Sequence, residues 1–274
     1  MGKRVLIALD LEGVNNVVGV PYSGLAKGTP EWEVARRQAV REVNTAASVL
    51  FDLGADRVSL WDNHGGGGNV NPILLDTRVE LLAPDLALPR MYFGGEYDLI
   101  CYFGYHTMEG TLGGVLAHTM NSTMNQHYKL NGKYIGEVDM DAYIAASHGV
   151  PSVFFAAGDI ACAQARRAVP DIVTVVTKRE ISRNEAEFRD NDELLCDIER
   201  GITEAYGSDA EPHRLAFPAT FEKSFKRVED AASYLARLEL AGIEAAYPCE
   251  EILGKDAHTV VSKIYTINDF ITCI

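Results

Sequence analysis

The sequence predicts an α/β fold, in which a mostly parallel sheet is flanked by helices and followed by a smaller C-terminal α/β subdomain. Strand-like apolar runs alternate with helical patterns along most of the 274 residues, and this alternation is typical of parallel strands connected by helices. The first apolar run, Val5–Leu9, contains no polar residue, as expected of a strand buried on both faces. With 47% apolar and 23% charged residues, the chain can bury a sizeable core.

The expected elements follow the first strand in chain order. Up to residue 206 they are a helix over 31–51, strands over 57–62, 79–82, 98–103 and 114–117, a helix over 137–147, a strand over 152–156, a helix over 160–168, a strand over 172–176 and a polar helix over 184–206. The pair Asn131-Gly132 predicts a hairpin turn. Residues 72–90 are rich in Leu and Pro and are expected to be largely irregular.

A linker over 207–212 suggests how the chain is divided. Beyond it we expect a strand over 215–222, a helix over 228–240, another extended segment and a final helix from about residue 258. The sequence therefore predicts an α/β domain over 1–208 and a C-terminal subdomain over 209–274, with one compact domain as the alternative.

Composition excludes some partners and favours a compartment. The net charge of −14 argues against nucleic acid, because neutralising phosphates requires a basic face. No apolar stretch reaches the length of a membrane span, and the first apolar run lacks a small-residue cleavage site, so we expect neither a membrane anchor nor a signal peptide. The five cysteines are odd in number and form no CxxC pair, which favours reduced thiols and a cytoplasmic location.

Two carboxylates follow the first strand directly. Asp10 and Glu12 are two residues apart, so their side chains point to the same side of an extended chain. Like charges at the end of a buried strand repel each other, and desolvation makes the repulsion worse. We therefore expect a cation between them.

Further candidate ligands stand where other strands end. These are Asp62, His64, His106 and His118, with Glu137 at the start of a helix. The carboxyl ends of parallel strands meet at one edge of the sheet, where ligands bind, and imidazole with carboxylate is a donor set suited to zinc. Three carboxylates and two histidines exceed the three protein ligands of one catalytic zinc, which predicts two metals with Asp10 as the bridge.

Each of these residues also has a simpler interpretation. Asp10 alone could cap a turn, and Glu137 alone could complement a helix N-terminus; the joint pattern favours metal. The histidines outside the pattern are interpreted as structural or exposed: His127, His148, His213 and His258. The glycine run Gly65–Gly68 lacks the Lys-Ser/Thr of a phosphate-binding loop, and the chain has no GxSxG or HExxH motif.

Several short motifs together resemble one family. They are D-L-E-G at 10–13, W-D-N-H at 61–64, G-Y-H at 104–106, A-H-T-M at 117–120, I-G-E at 135–137, V-P-S-V-F-F-A-A-G-D at 150–159 and K-R-E-I-S-R at 178–183. In this order and spacing, over roughly residues 5–183, they resemble the M55 metallopeptidase family of D-aminopeptidases. The last ninety residues or so match that family only in general layout.

The resemblance implies a dinuclear zinc site and a homo-oligomeric, ring-like assembly. By position, the implied zinc ligands are Asp10, Glu12, His64, His106 and Glu137, and His118 falls where the family has its proposed catalytic histidine. The implied activity is a zinc-dependent aminopeptidase that acts on short peptides with D-configured N-terminal residues such as D-Ala.

Two other functions stay open at this point. One is a different dinuclear-metal hydrolase such as a phosphoesterase, which would need basic residues near the metals. The other is a small-molecule binding protein that kept the fold and the metals without turnover. Asp62 is interpreted as an acceptor that orients a ligand histidine, or as a strand-end cap. Lys178 and Arg183 could reach a peptide carboxylate, but surface ion pairs are the preferred interpretation for both.

Overall fold

The computed structural model describes residues 2–83, 96–250 and 254–274, without the side chains of residues 249, 250, 254 and 255. Within these ranges the helices are α1 (Pro30–Asp52), α2 (Glu137–Ser147), α3 (Asp159–Ala168), α4 (Asn191–Tyr206), α5 (Val228–Leu240) and α6 (Ile267–Cys273). The strands are β1 (Arg4–Leu9), β2 (Arg57–Asp62), β3 (Glu80–Leu81), β4 (Leu99–Phe103), β5 (Asn125–Leu130), β6 (Lys133–Ile135), β7 (Ser152–Ala157), β8 (Val173–Val176), β9 (Lys178–Ser182), β10 (Glu185–Phe188), β11 (Ala219–Phe225), β12 (Ala245–Ala246), β13 (Cys249–Glu250), β14 (Gly254–Lys255) and β15 (Thr259–Ile264). In the described part of the chain, no helix combines the length and the apolar character needed to cross a bilayer.

The main sheet confirms the predicted α/β class. Its strand order is β3-β2-β1-β4-β7-β8, and every pairing in it is parallel. Strand β1 lies inside the sheet, and its residues from Val5 to Leu9 are fully buried. Because successive side chains of a strand point to opposite faces, Val5 and Ile7 pack with α1 and α4, whereas Leu6 and Ala8 pack with α2 and α3.

A second sheet joins the C-terminal segment to the middle of the chain. Its order is β12-β15-β11-β5-β6 with antiparallel pairing, and β5 and β6 flank the predicted turn at Asn131-Gly132. The rings of Tyr128 and Phe221 pack edge-to-face with centroids 5.6 Å apart. The proposed boundary at residue 208 falls between α4 and β11, and the division into two domains stays a prediction.

Three expected elements are wrong, each for a physical reason. Residues 114–117 form turns rather than a strand, with Leu116 in the left-handed region at φ 50°. The polar helix begins only at Asn191, because β9 and β10 form a hairpin before it and Asp190 caps it. Residues from 259 pair with β11 as strand β15 before α6 begins. The expected irregular segment over 72–90 lies partly outside the described residues.

The loops after β1 and β4 approach each other without intervening side chains. The Gly13 amide donates to the Gly104 carbonyl at 2.7 Å, and the Asp10 amide donates to the Phe103 carbonyl at 2.8 Å. A Cβ at Gly13 would lie 1.9 Å from the Tyr105 carbonyl oxygen, and Gly104 has φ 69°. Glycine is therefore required at both positions, and the ends of β1 and β4 are held side by side.

A buried lysine fixes the same loop from the other side. Lys178, the first residue of β9, is completely buried, so its expected place in a surface ion pair is wrong. Its ammonium donates to the main-chain carbonyls of Glu12, Val14 and Val17. Burial lowers the pKa of Lys178 to about 8, and three carbonyl acceptors take the place of water around the charge. The loop that leaves β1 is thus tied to the far edge of the sheet.

Replacing Lys178 by Met should destabilise the protein and loosen the loop after β1. Three buried carbonyls lose their donor, so the free energy of unfolding should fall by about 1–3 kcal/mol. Urea denaturation of the purified protein measures this. The matched control is Lys129→Met, which removes a partly exposed pair with Glu222 and should cost less than about 1 kcal/mol. Equal stability of the two variants would contradict the role given to Lys178.

Candidate metal centre

The two carboxylates after β1 lie together and are nearly inaccessible. Asp10 and Glu12 are 4% and 6% exposed. The imidazole of His64, which follows β2, lies between them, with Nδ1 2.9 Å from Asp10 Oδ1 and 3.1 Å from Glu12 Oε2. The position where the sequence predicts a cation is therefore faced by two carboxylates and an imidazole nitrogen.

His106 is placed as a metal ligand would be. It follows the end of β4, and its Nδ1 donates to the Thr107 carbonyl at 3.0 Å. Its buried Nε2 makes no hydrogen bond to any described residue, although it lies 3.4 Å from Asp10 Oδ2 and 3.3 Å from Glu137 Oε1. A histidine fixed through Nδ1, with a bare Nε2 aimed at carboxylates, has the arrangement found around bound metal ions.

Glu137 reaches the cluster from the opposite side, as predicted. It is the first residue of α2 and follows the N-cap Gly136. Its Oε1 accepts a hydrogen bond from the Met120 amide at 2.8 Å. The helix start is fixed by Asp139, whose carboxylate accepts from the Gly136 amide at 2.8 Å. The N-terminal end of the helix also favours the negative charge of Glu137.

His118 lies against His106 but is carried by a loop rather than by a strand. Its amide donates to the Thr107 carbonyl at 3.2 Å, and its Nδ1 donates to the Leu116 carbonyl at 2.8 Å. The rings of His118 and His106 stack with centroids 3.8 Å apart. With Nδ1 engaged, Nε2 of His118 is the atom available for a proton or a metal.

Two overlapping groups of side chains can each surround an ion. Asp10, Glu12 and His106 each offer a ligand atom within 4.8 Å of the others, and so do His106, His118 and Glu137. His64 joins the first group through its contacts with both carboxylates. The structure thus brings all six residues predicted for the site into one cluster, and the assignment of each as ligand or catalyst stays a prediction.

The protonation of the metal-free cluster follows from burial and from its opposite charges. Burial and the charge of Glu12 raise the pKa of Asp10. Burial also opposes ionisation of Glu12, but His64 lowers the pKa of this carboxyl well below its usual range. Burial opposes protonation of His64 as well, yet Glu12 and Asp10 raise its pKa to about 11. Burial lowers the pKa of His106 too, but Glu137 and the other nearby carboxylates outweigh it and raise this pKa to about 10.

His118 behaves differently from its two neighbours. Burial, followed by the charge of His106, lowers the pKa of His118 below its usual value. His64 and His106 thus hold protons in the metal-free cluster at neutral pH, whereas His118 is neutral. A neutral imidazole with a free Nε2 is a proton acceptor in the physiological range.

Asp62 does not touch a ligand histidine and instead orders the glycine loop. Its carboxylate accepts from the Asn69 amide at 2.6 Å and the Val70 amide at 3.1 Å. The side chain of Asn69 donates to Asp62 and to the His64 carbonyl. The interpretation of Asp62 as an acceptor that orients a ligand histidine is therefore wrong. The alternative interpretation, a cap at the end of the strand, agrees with these contacts. Sequence reasoning missed Asn69, because a lone loop asparagine carries no signal for this role.

The remaining histidines lie outside the cluster. His127 contacts Glu222, His258 bonds the Phe225 carbonyl, and His213 stacks on Tyr143. His148 is exposed at the C-terminal end of α2. Their interpretation as structural or exposed residues agrees with these positions.

The cluster opens into a cavity of about 990 Å³. Five of the six cluster residues line it: Asp10, Glu12, His64, His118 and Glu137. The other lining residues come from the loop over 20–26, from Arg183 at the tip of the β9–β10 hairpin, from Arg237 of α5 and from the C-terminal residues around Ile271. No pattern in the sequence indicates that α5 and α6 reach this cavity.

Known proteins resemble this chain over most of its length. The peptidase M55 family, described as D-aminopeptidase, matches residues 3–262. A D-aminopeptidase of Bacillus subtilis (strain 168) is 26% identical over 184 residues, which span 66% of this chain and 65% of that protein. The fold matches that of the Zn-dependent D-aminopeptidase DppA from Bacillus subtilis, a self-compartmentalizing protease, with a TM-score of 0.85 over 98% of this chain and 94% of that chain, at 19% identity. Because the family match covers nearly the whole chain, this protein belongs to the M55 peptidase family of D-aminopeptidases.

Proposed function

We propose that this protein is a zinc-dependent aminopeptidase that hydrolyses short peptides with D-configured N-terminal residues such as D-Ala. The observation that carries the proposal is the bare, buried Nε2 of His106, which faces two carboxylates beside a neutral histidine at the floor of a cavity. Membership of the M55 family supports the same conclusion.

The donor set of the cluster fits zinc. Two imidazoles and three carboxylates combine the nitrogen and oxygen ligands that zinc accepts. Asp10, Glu12, His64, His106 and Glu137 would hold two zinc ions, with Asp10 shared between them. Bound zinc lowers the pKa of a water molecule towards neutrality and polarises a carbonyl group that it contacts.

His118 is proposed to transfer protons during hydrolysis. Its Nδ1 is engaged with the Leu116 carbonyl, so its neutral Nε2 can accept the proton that the attacking water gives up. The same nitrogen then delivers this proton to the departing amino group, as a general base that becomes a general acid. The stacked ring of His106 keeps the His118 imidazole in place.

We also propose a homo-oligomeric, ring-like assembly in the cytoplasm. The structural neighbour is described as self-compartmentalizing. Large apolar side chains are almost fully exposed on this chain, among them Ile73, Leu112 and Leu240, and exposed apolar surface is often covered by partner subunits. Cys101, Cys162 and Cys273 are buried free thiols, which suits a reducing compartment. A monomer in analytical ultracentrifugation would overturn the assembly.

The decisive assay compares D-Ala-D-Ala with its L counterpart, with and without a chelator. Hydrolysis should be faster for the D peptide and should stop when zinc is removed. A panel of phosphate esters tests the phosphoesterase alternative under the same conditions. If the zinc-loaded protein hydrolyses no short peptide of either hand, the proposed function is wrong.

Replacing His118 by Ala should lower kcat by about 10²–10⁴ while the zinc content stays at the wild-type level. The loss arises because no other group takes over the proton transfer. Steady-state kinetics and elemental analysis of the same preparation measure both quantities. Loss of zinc from this variant would instead identify His118 as a ligand, as its position beside His106 and Glu137 allows.

Replacing Asp10 by Ala should remove both zinc ions rather than one, because its carboxylate is the proposed bridge. The Asp10 oxygens contact both His64 and His106, so the change reaches both halves of the cluster. Elemental analysis after dialysis measures the zinc content. Glu222→Ala, which removes a carboxylate that pairs with His127 and Lys129, is the control and should keep both ions. If the Asp10→Ala variant retains one zinc ion per chain, Asp10 does not bridge the two ions.

Zinc uptake by the metal-free protein at pH 7 should release part of a proton from Asp10, whose pKa is raised to about 7, and one proton each from His64 and His106. Their pKa values of about 11 and about 10 mean that both are protonated before zinc binds. The product of the two apparent zinc-binding constants should therefore rise with pH, by at least about a hundredfold per pH unit near neutrality. Calorimetry in two buffers of different ionisation enthalpy counts the protons. The variant His148→Ala should give the same count, whereas uptake without proton release would contradict the assignment of these two ligands.

A further inference from the structure

We propose that Arg183 binds the free C-terminal carboxylate of the substrate, so that the enzyme acts on di- and tripeptides with both termini free. This inference rests on the proposed function and names the substrate class of the same site. It replaces the expected surface ion pair of Arg183, since no carboxylate among the described residues pairs with this side chain.

Arg183 is fixed at the cavity by two contacts with one segment. It stands between Ser182 and Glu185, at the tip of the β9–β10 hairpin. Its carbonyl accepts from the Leu116 amide at 2.9 Å, and its Nη1 donates to the Ala117 carbonyl at 2.6 Å. Backbone and side chain are therefore both tied to the turn that carries His118.

The rest of the guanidinium is available to a ligand. The group has five N–H donors, and the described structure engages one of them, at Ala117. The arginines that flank it in sequence are paired: Arg179 with Glu187 and Arg189 with Asp197. An arginine that lines the cavity without an acidic partner stands ready for a planar anion such as a carboxylate, which it can bind through two parallel hydrogen bonds.

Arg183 is held beside the segment that carries His118, the proposed proton carrier. The Ala117 carbonyl that accepts from its guanidinium belongs to the peptide unit directly before His118. Each extended residue of a substrate spans about 3.3–3.6 Å. With the scissile bond beside His118, we expect the carboxylate of a substrate with one or two residues after that bond to reach Arg183, and a longer chain would have to pass the guanidinium.

The charge of Arg183 suits the carboxylate end of such a substrate. Arg183 lines the cavity, so its positive charge attracts an anion that enters there. Arg237 also lines the cavity, but its described contact is with the ring of Tyr234, 5.2 Å away. It lacks the two hydrogen bonds that fix Arg183, which makes it the matched control.

The experiment compares D-Ala-D-Ala with D-Ala-D-Ala amide, using the zinc-loaded full chain and the variants R183Q, R183K and R237Q. The wild-type protein should favour the free acid by about 10–100-fold in kcat/KM, the range expected of a charge-assisted hydrogen bond. In R183Q this preference should disappear through a higher KM for the acid, whereas any loss of kcat from the freed Ala117 carbonyl should be the same for the acid and the amide. R183K keeps the charge without the planar fork and should retain part of the preference, and R237Q should retain all of it.

Three results would overturn the inference: equal turnover of acid and amide by the wild-type protein, an unchanged preference in R183Q, or a preference lost only in R237Q. Zinc content and thermal unfolding of each variant show that the cluster is intact. If no peptide is hydrolysed at all, the proposed function fails. In that case, binding is measured with dipeptide analogues that have a reduced peptide bond. Comparing the dissociation constants of the acid and the amide form then decides whether Arg183 binds the carboxylate.

Discussion

The structure depends on the repulsion between two carboxylates at the end of a buried strand. Asp10 and Glu12 lie where β1 leaves the middle of the sheet, and both are more than nine-tenths buried. Such a pair is stable only if positive charge is placed beside it. In the metal-free protein, protons on His64 and His106 supply that charge, and zinc would replace them. The protein therefore maintains an opposite charge at this position in either form.

The residues of this cluster were predictable because they follow local rules. The period of β1 places Asp10 and Glu12 on one side, and parallel strands bring His64 and His106 to the same edge of the sheet. Glu137 stands at a helix start, where a carboxylate is favoured for its own reasons. None of these inferences requires knowledge of how distant segments pack.

Most features that sequence reasoning missed depend on contacts between distant segments. Lys178 looked like a surface residue, and only the folded chain shows that it lies under a loop about 160 positions earlier in the sequence. Strand β10 falls within the predicted polar helix over 184–206, because its residues are mostly polar and its pairing with β9 leaves no signal in the sequence. Arg183 lies at the tip of the β9–β10 hairpin, so its position depends on that pairing. The cavity walls formed by α5 and α6 depend on the second sheet.

The carbonyl of Thr107 accepts hydrogen bonds from the imidazole of His106 and from the amide of His118. One peptide group thereby holds a proposed ligand and the proposed proton carrier, and the two rings stack on each other. We therefore expect the two rings to keep their spacing when the surrounding loops move. Selection among substrates is then left to the cavity walls, which can diversify without disturbing the reacting groups.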